Sequence, residues 1–303
     1  MDKSVYIIIL NYKNLDDTFA CLDSLRKISY KNYHMIVVDN DSQDGSYEYL
    51  KERETDYKVI QSGENGGYAA GNNIGIRYAL SQDADYVCIL NNDVEVEPDF
   101  LNVLVEYMED NPKVGMSGPL VYEFADRNKI QSAGFSITVR TGSTKPLLQG
   151  KNKNDTDIYA AVQKGSATFC DALSGTCLLV RREVLERVGL IPECYFLFFE
   201  EMEWCLNVRK HGYKLAAVFA AEVYHKGSAT LKKTGTVGRY YMARNQVLFV
   251  RRNGTTFESC FFLVTEGLGY LFRCIFSSRR EIRKMEWEAF WEGLMMDKND
   301  RKG

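Results

Sequence analysis

Three aliphatic runs, each ending in asparagine or aspartate, constrain this chain most. Val5 to Leu10 (VYIIIL) leads into Asn11-Tyr12, and Tyr33 to Val38 (YHMIVV) into Asp39-Asn40. Asp85 to Leu90 (DYVCIL) leads into Asn91-Asn92-Asp93. Runs that stay apolar without alternating suit strands covered on both faces. Segments with helical spacing lie between them. Asp16 to Lys27 places Phe19, Leu22 and Leu25 on one face, Ser46 to Arg53 follows, and Gly71 to Ser81 is entered through a Gly/Asn-rich turn. Lys58 to Gln61 adds a short strand, and Pro98 opens a helix reaching about Asp110. This alternation predicts a parallel sheet with helices on both faces. Ligands of such sheets bind beyond the carboxyl ends of the strands, so the three polar ends are predicted to share one rim.

The second half is less regular. Leu173 to Val180 has strand character, Arg182 to Val188 is helical, and an acidic helix runs from Glu200 to about His211. Leu215 to Phe219 is a strand, and the chain beyond Gly238 is helical, with aromatic and basic residues mixed. The polar stretch Gly142 to Thr156 (GSTKPLLQGKNKNDT) is predicted to be a mobile loop. With 303 residues, 45% of them hydrophobic, the chain can bury a sizeable core as one large α/β domain or two small ones. A net charge of -3 argues against nucleic acid as a partner. The N-terminal MDKSVYIIILNYKN has too short an apolar run for a leader and no small-residue cleavage site. The eight cysteines form no C-x-x-C pair, so a reduced, cytoplasmic chain is expected. Three histidines are too few for a zinc cluster of the usual kind.

Several residues could carry chemistry, each with a plainer alternative. Asp93, at a strand end, could hold a divalent cation and through it a diphosphate, or it could cap the helix near Pro98. Asp39, in VVDNDSQDGS, could accept hydrogen bonds from a ribose or base, or serve a turn. An EF-hand reading of that stretch fails for want of the flanking helices and the twelfth-position Glu. Glu64 to Gly75 (ENGGYAAGNNIG) could turn its amides to phosphate or sugar oxygens, or form a tight turn. It lacks both the G-x-G-x-x-G and the G-x-x-x-x-G-K spacings. In FFEEME, from Phe198 to Glu203, three carboxylates follow aromatics. They could complement a helix N-terminus, or include a base with a raised pKa. His225, in VYHKGSAT, is either an ordinary residue or a second metal ligand beside Asp93.

Taken in order, IIILNYKN, VVDNDSQDGS, ENGGYAAGNNIGI, ILNNDVEVEPDFL, LSGTCLLVRREVLERVGLIPE, FFEEMEWCLNVRKHGY and VYHKGSAT resemble the inverting family 2 glycosyltransferases over roughly residues 4–250. NNDV, FFEE and the tail FWEGLMMDKNDRKG are similar to the rhamnosyltransferase-like subgroup, whose members build bacterial surface polysaccharides from nucleotide-activated sugars. The resemblance implies an α/β protein of the GT-A (Rossmann-like) fold: a mostly parallel central sheet, helices on both faces and a helical C-terminal extension. It implies a glycosyltransferase domain over about residues 1–250, with a nucleotide-sugar half to about 115, an acceptor half after it, and the extension over 251–303. The implied reaction moves a sugar, rhamnose from dTDP-rhamnose, to a saccharide or lipid-linked saccharide acceptor with inversion, aided by Mg²⁺ or Mn²⁺.

The same resemblance assigns roles. Asn91-Asn92-Asp93 takes the place of the D-x-D motif, with Asp93 as its metal-binding acid and His225 as a late metal or diphosphate contact. Asp39 would meet the nucleoside, Tyr12 would line the base pocket, and Asn65 and Asn72 would belong to the donor loop. Arg244, with Asn245 in YYMARNQ, would meet phosphate or acceptor, and Glu201 would be the catalytic base. The chain departs from the family at Asn72, where many members carry Arg, at Asn91 for the first Asp of D-x-D, and at Glu201 for Asp. These departures keep open an inactive GT-A-like module that binds carbohydrate or a partner. A sugar nucleotidyltransferase is a further alternative, although NYKNLDD offers only Lys13 where a basic Gly-rich loop is needed.

In the extension, Phe257 to Phe276 (FESCFFLVTEGLGYLFRCIF) is apolar but interrupted by Glu258, Glu266 and Arg273, so it is predicted not to span a membrane. With the basic SSRREIRKMEW after it, the segment is predicted to touch the inner face of the plasma membrane. Cover for the core or a homodimer interface is the open alternative.

Overall fold

The computed structural model of the chain describes residues 3–227, 229–276 and 280–299. Its first part runs β1 (Val5–Asn11), α1 (Leu15–Leu25), β2 (Tyr33–Asp39), α2 (Ser46–Glu52), β3 (Tyr57–Gln61), α3 (Gly67–Ser81), β4 (Tyr86–Asn91), β5 (Val94–Val96) and α4 (Phe100–Asp110). Next come β6 (Val114–Glu123), β7 (Asp126–Ser132), β8 (Phe135–Thr138), β9 (Ser143–Pro146), α5 (Thr156–Gln163), β10 (Ala167–Phe169), β11 (Cys177–Arg181) and α6 (Arg182–Val188). The last elements are α7 (Glu200–Lys210), β12 (Lys214–His225), α8 (Ala229–Asn253), α9 (Thr256–Phe276) and α10 (Arg280–Met295).

The main sheet has the order β10-β12-β6-β11-β4-β1-β2-β3, with β5 joined to β12 and β7 to β6. Strands β1 to β4 pair in parallel, β12 is parallel to β6, and β11 runs antiparallel between β4 and β6. Strand β1 shows why its sequence has no polar alternation. Ile8 packs into the core on one face of the sheet with Ala69 and Ile76 of α3, while Ile7 and Ile9 pack into the other with Leu22 of α1 and Leu104 of α4. All three isoleucines are fully buried, each contributing roughly 1.5–3 kcal/mol from burial. The register sets Asn11 opposite Asp39 and Leu10 opposite Asn91, so the three polar strand ends do share one rim.

Strands β5, β7 and β10 and helix α5 were not expected from the sequence, β11 begins at Cys177 and β12 runs on to His225. Three further differences have a clear physical reason. Helix α3 begins at Gly67, four residues before the expected Gly71. Its glycines make close packing possible: a Cβ on Gly71 would lie 2.4 Å from Leu10 Cδ1, and one on Gly75 2.6 Å from Ile8 Cγ2. The Gly/Asn composition that resembles a loop therefore marks a helix lying directly on β1. The stretch from Gly142 to Thr156 is not one loop either. Ser143–Pro146 pairs with β8, and Asn152 bridges to Lys129. This hairpin is exposed, so it shows no apolar alternation. Strand β6 went unread because Gly115, Gly118 and Pro119 interrupt it. Its partner β12 accommodates this with a register shift between Val218 and Glu222, beginning where Val218 faces Pro119.

The C-terminal helices pack on the α7 side of the sheet. Gly293 lets α10 cross α8 closely, since a Cβ there would lie 2.3 Å from the Arg244 carbonyl oxygen. Helix α9 buries Phe262 and Tyr270 against its neighbours. Among the described residues no helix is long and apolar enough to cross a membrane. Ser277 to Arg279 of the basic SSRREIRKMEW, Ser228 of VYHKGSAT and the final DRKG lie outside the described residues.

Candidate active site

At the polar rim lies a cavity of about 440 Å³. The ends of β1, β2 and β4 form one wall, and the entry to α3 another. The Ser174–Thr176 turn and the loop before α7 close it.

Sheet pairing assembles the first charged group. Asn92 and Asp93 form the turn between β4 and β5, and β5 pairs with the end of β12, so that Val94 faces His225. Asp93 Oδ1 and His225 Nε2 are 3.2 Å apart. On its other side the ring approaches Gln131 Oε1 at 2.8 Å through Nδ1. An amide oxygen only accepts, so Nδ1 donates to it and Nε2 is the ring atom that faces the Asp93 carboxylate. A carboxylate oxygen and an imidazole nitrogen side by side are a pair of ligand atoms that one divalent cation can share. Their separation also fits two adjacent ligands of an octahedral ion, which lie about 3 Å apart when each bond is about 2.1 Å. Among the described residues no three His, Cys, Asp or Glu side chains converge on a metal position. An ion here would take two protein ligands and fill the rest from phosphate oxygens and water. Asn92 braces the turn by donating to Thr18 Oγ1 at 3.0 Å and to the Asn14 carbonyl.

Asp39 is fully buried and does not line the cavity. Its carboxylate accepts from Asn11 Nδ2 (2.8 Å), the Ser42 amide (3.0 Å) and Ser42 Oγ (2.6 Å), fastening the ends of β1 and β2 together. The next residue, Asn40, does line the cavity. Its amide donates to Asn65 Oδ1 and the Gly67 carbonyl, while its own Oδ1 is buried without a partner. Gly67 has φ +82°, and a Cβ there would lie 2.1 Å from the Phe196 carbonyl oxygen, so only glycine lets this loop approach residue 196. Asn65 and Tyr12 line the cavity. Asn72 is buried within α3, its amide donating to the Tyr68 carbonyl, and does not.

The acidic side begins with a strained turn. Phe198 and Phe199 both have left-handed backbones, at φ 70° and 77°, a conformation that costs about 1–3 kcal/mol per residue. Asn245 holds it: one amide donates to the Leu197 and Phe198 carbonyls, at 2.8 and 3.0 Å. Arg244 donates to Asn245 Oδ1 at 2.8 Å and pairs with Glu292 at 3.2 Å, away from the cavity lining. Asn245, with Arg244 bonded to it, thus braces the turn that presents the acids.

The three acids of α7 have different surroundings. Glu203 receives Arg252, Asn253 Nδ2 and the Tyr195 hydroxyl, a buried ion-pair network facing away from the cavity. Glu203→Ala should cost about 3–5 kcal/mol by removing the buried carboxylate on which this network converges, read as a lower urea midpoint at pH 7. Glu200 and Glu201 line the cavity, each with a buried Oε2 that has no partner. Burial pushes the Glu201 carboxyl up to about 7. Burial, and then the neighbouring Glu201 charge, hold Glu200 well above the ordinary range. Glu200 is only 3% exposed, whereas Glu201 is partly open to the cavity. An incoming hydroxyl can therefore reach Glu201 more readily.

Tyr12, Asn65, Asn91, Asp93, Glu201 and His225 thus meet in one cavity, while Asp39, Asn72 and Arg244 stand behind it or beside it. The residue-level reading did not single out Asn40, Tyr68, Phe196 or Gln131. Asn40 adjoins Asp39 and could have been found. Gln131 left no signal, because it meets His225 only through the pairing of β6 with β7 and β12.

The model of the family described as glycosyl transferase family 2 matches residues 4–189. The dTDP-rhamnosyl transferase RfbF of Shigella flexneri is 29% identical over 265 residues, covering 84% of this chain and 82% of RfbF. An N-acetylglucosaminyl-diphospho-decaprenol L-rhamnosyltransferase of Mycobacterium tuberculosis is 28% identical over 221 residues, covering 69% of this chain and 72% of that protein. Among solved structures, GalNAc-T7 with UDP, GalNAc and Mn²⁺ superposes with a TM-score of 0.66 at 15% identity. That match takes in 96% of this chain and 56% of GalNAc-T7, and it shows a common fold.

Proposed function

The chain belongs to glycosyl transferase family 2, and from that premise we propose that it transfers rhamnose from dTDP-rhamnose to a saccharide or lipid-linked saccharide acceptor, with inversion. The observation that carries this reading is a single cavity holding both Asp93 beside His225 and two adjacent acids, Glu200 and Glu201, each with a buried oxygen that has no partner. The donor and acceptor chemistry follows the names of the two rhamnosyltransferases.

In the proposed reaction the acceptor hydroxyl attacks the anomeric carbon as the bond to the nucleoside diphosphate breaks. Its proton passes to Glu201, and the diphosphate leaves with the bonding pair. One face is attacked and the opposite bond breaks, so the configuration inverts. Asp93 and His225 would hold Mg²⁺ or Mn²⁺, whose charge offsets that developing on the leaving diphosphate. Tyr12 and Asn65 would seat the nucleoside, with Asn40 offering its free Oδ1, and Asn91 would lie beside the diphosphate. Asp39 would act through Asn11 and Ser42 by fixing the rim. On this reading residues to about 115 form the nucleotide-sugar half, those to about 250 the acceptor half, and the rest a helical extension. On the same reading the reaction would run in the cytoplasm.

The test is a thermal-shift screen of dTDP, UDP and GDP and their sugars with Mn²⁺, followed by product analysis. The expected result is stabilisation by dTDP-rhamnose, by mass action, and release of dTDP with an inverted linkage. Stabilisation without turnover by any donor would mark a binding module. Pyrophosphate release from dTTP and a sugar 1-phosphate would mark a nucleotidyltransferase.

A further inference from the structure

We propose that α9 is the dimerisation element of this protein, packing antiparallel against α9 of a second copy about a two-fold axis near Glu266. Phe257, Phe261, Val264, Leu268, Leu271 and Ile275 are 75, 40, 61, 62, 44 and 58% exposed, while Phe262 and Tyr270 on the opposite side are buried. These six follow one another at intervals of four, three, four, three and four, and Phe272, 62% exposed, lies beside them. That alternation is the spacing of a seam for a partner helix.

The seam is symmetric about its centre. With the axis at residue 266, Phe257 of one copy faces Ile275 of the other, Phe261 faces Leu271, and Val264 faces Leu268. Each layer then joins one position of each seam type, as antiparallel helices require, and each patch is self-complementary, as a two-fold interface demands. A standard interface takes roughly 800 Å² from each partner, and these six large side chains, each 40% exposed or more, would supply a substantial share of it. A lone protein seldom leaves a large apolar patch uncovered.

Charge favours a second copy over a lipid surface. Helices that lie on membranes are rich in Lys and Arg on their polar face. Helix α9 carries Glu258, Glu266 and a single Arg273, and Arg273 pairs with Glu266 at 3.4 Å. Glu258 accepts from the Thr255 amide at 2.9 Å and caps the helix. Arg140 stands 4.7 Å from the Phe261 ring.

The experiment measures the mass of the full chain by sedimentation, with and without vesicles of phosphatidylglycerol and phosphatidylcholine. A dimer is expected in lipid-free buffer. Val264→Lys and Leu268→Glu should each give a monomer that still binds dTDP. The two changes in one chain should restore the dimer, because across the axis each introduced amine faces an introduced carboxylate. A monomeric wild-type chain overturns the proposal, as does a dimer that survives both single changes. A double variant that stays monomeric overturns the antiparallel register. A monomer that floats with vesicles, and ceases to when Leu268 is Glu, assigns the face to the membrane instead. None of these outcomes touches the donor reading, which stands or falls on nucleotide binding.

Discussion

Glu201→Gln is expected to lower sugar transfer by about 10²–10⁴-fold, the usual contribution of a general base, while nucleotide affinity stays near that of the parent. A base acts on the acceptor hydroxyl in the transition state, so kcat should fall with little change in donor binding. The pH profile offers a second reading. Burial sets the Glu201 carboxyl near 7, so kcat/KM should rise with pH through that value and then level off. Stability should move the opposite way. The unfolded chain ionises this carboxyl near its ordinary 4.5, whereas the fold keeps the proton to about 7. The folded state therefore binds more protons in that window, and its stability falls as pH rises through it. Removing the charge with Gln should make the protein somewhat more stable at neutral pH, which separates a lost base from a lost fold. Glu200→Gln should also stabilise and should slow transfer less, because Glu200 is the more deeply buried of the pair. A fully active Glu201→Gln beside a folded but inactive Glu200→Gln would move the assignment by one residue. If both stay active, the base lies elsewhere.

Asp93→Asn is expected to abolish metal-supported nucleotide binding and to lower transfer by about 10²-fold or more. A cation that stabilises the departing diphosphate is worth several kcal/mol, and each 1.36 kcal/mol is a factor of ten in rate. The substitution keeps the size of the side chain. It also spares the backbone, since the Lys226 amide bonds to the carbonyl of Asp93 and not to its carboxylate. The fold should survive, and Mn²⁺ binding can be followed directly by paramagnetic relaxation, apart from any turnover. His225→Ala should weaken the same signal. Undiminished Mn²⁺ binding by Asp93→Asn would remove this residue from the metal site.

Much of the fold was legible because strand burial is written in local composition. VYIIIL, MIVV and YVCIL hold no charged or amide side chain, and each lies in a strand covered on both faces. Their polar ends also announced the site, because parallel pairing carries strand ends to one rim whatever the loops do. Strand β6 stayed hidden because its glycines and proline oppose the local signal, and pairing with β11 and β12 overrides them. The start of α3 was misplaced because glycine serves turns and close packing alike.

The sequence by itself determined the alternating sheet, its polar rim and the short set of acids from which a base could be drawn. Only the tertiary structure decided what each polar group does. Glu203 is neutralised by Arg252, 49 residues away, and His225 is oriented by Gln131, 94 residues away. Asp39 is consumed by Asn11 and Ser42, while Glu200 and Glu201 keep buried oxygens without partners. The physical reason is that burial follows from a residue's own chemistry. Whether a buried charge is satisfied or left available depends on groups that packing brings from distant parts of the chain.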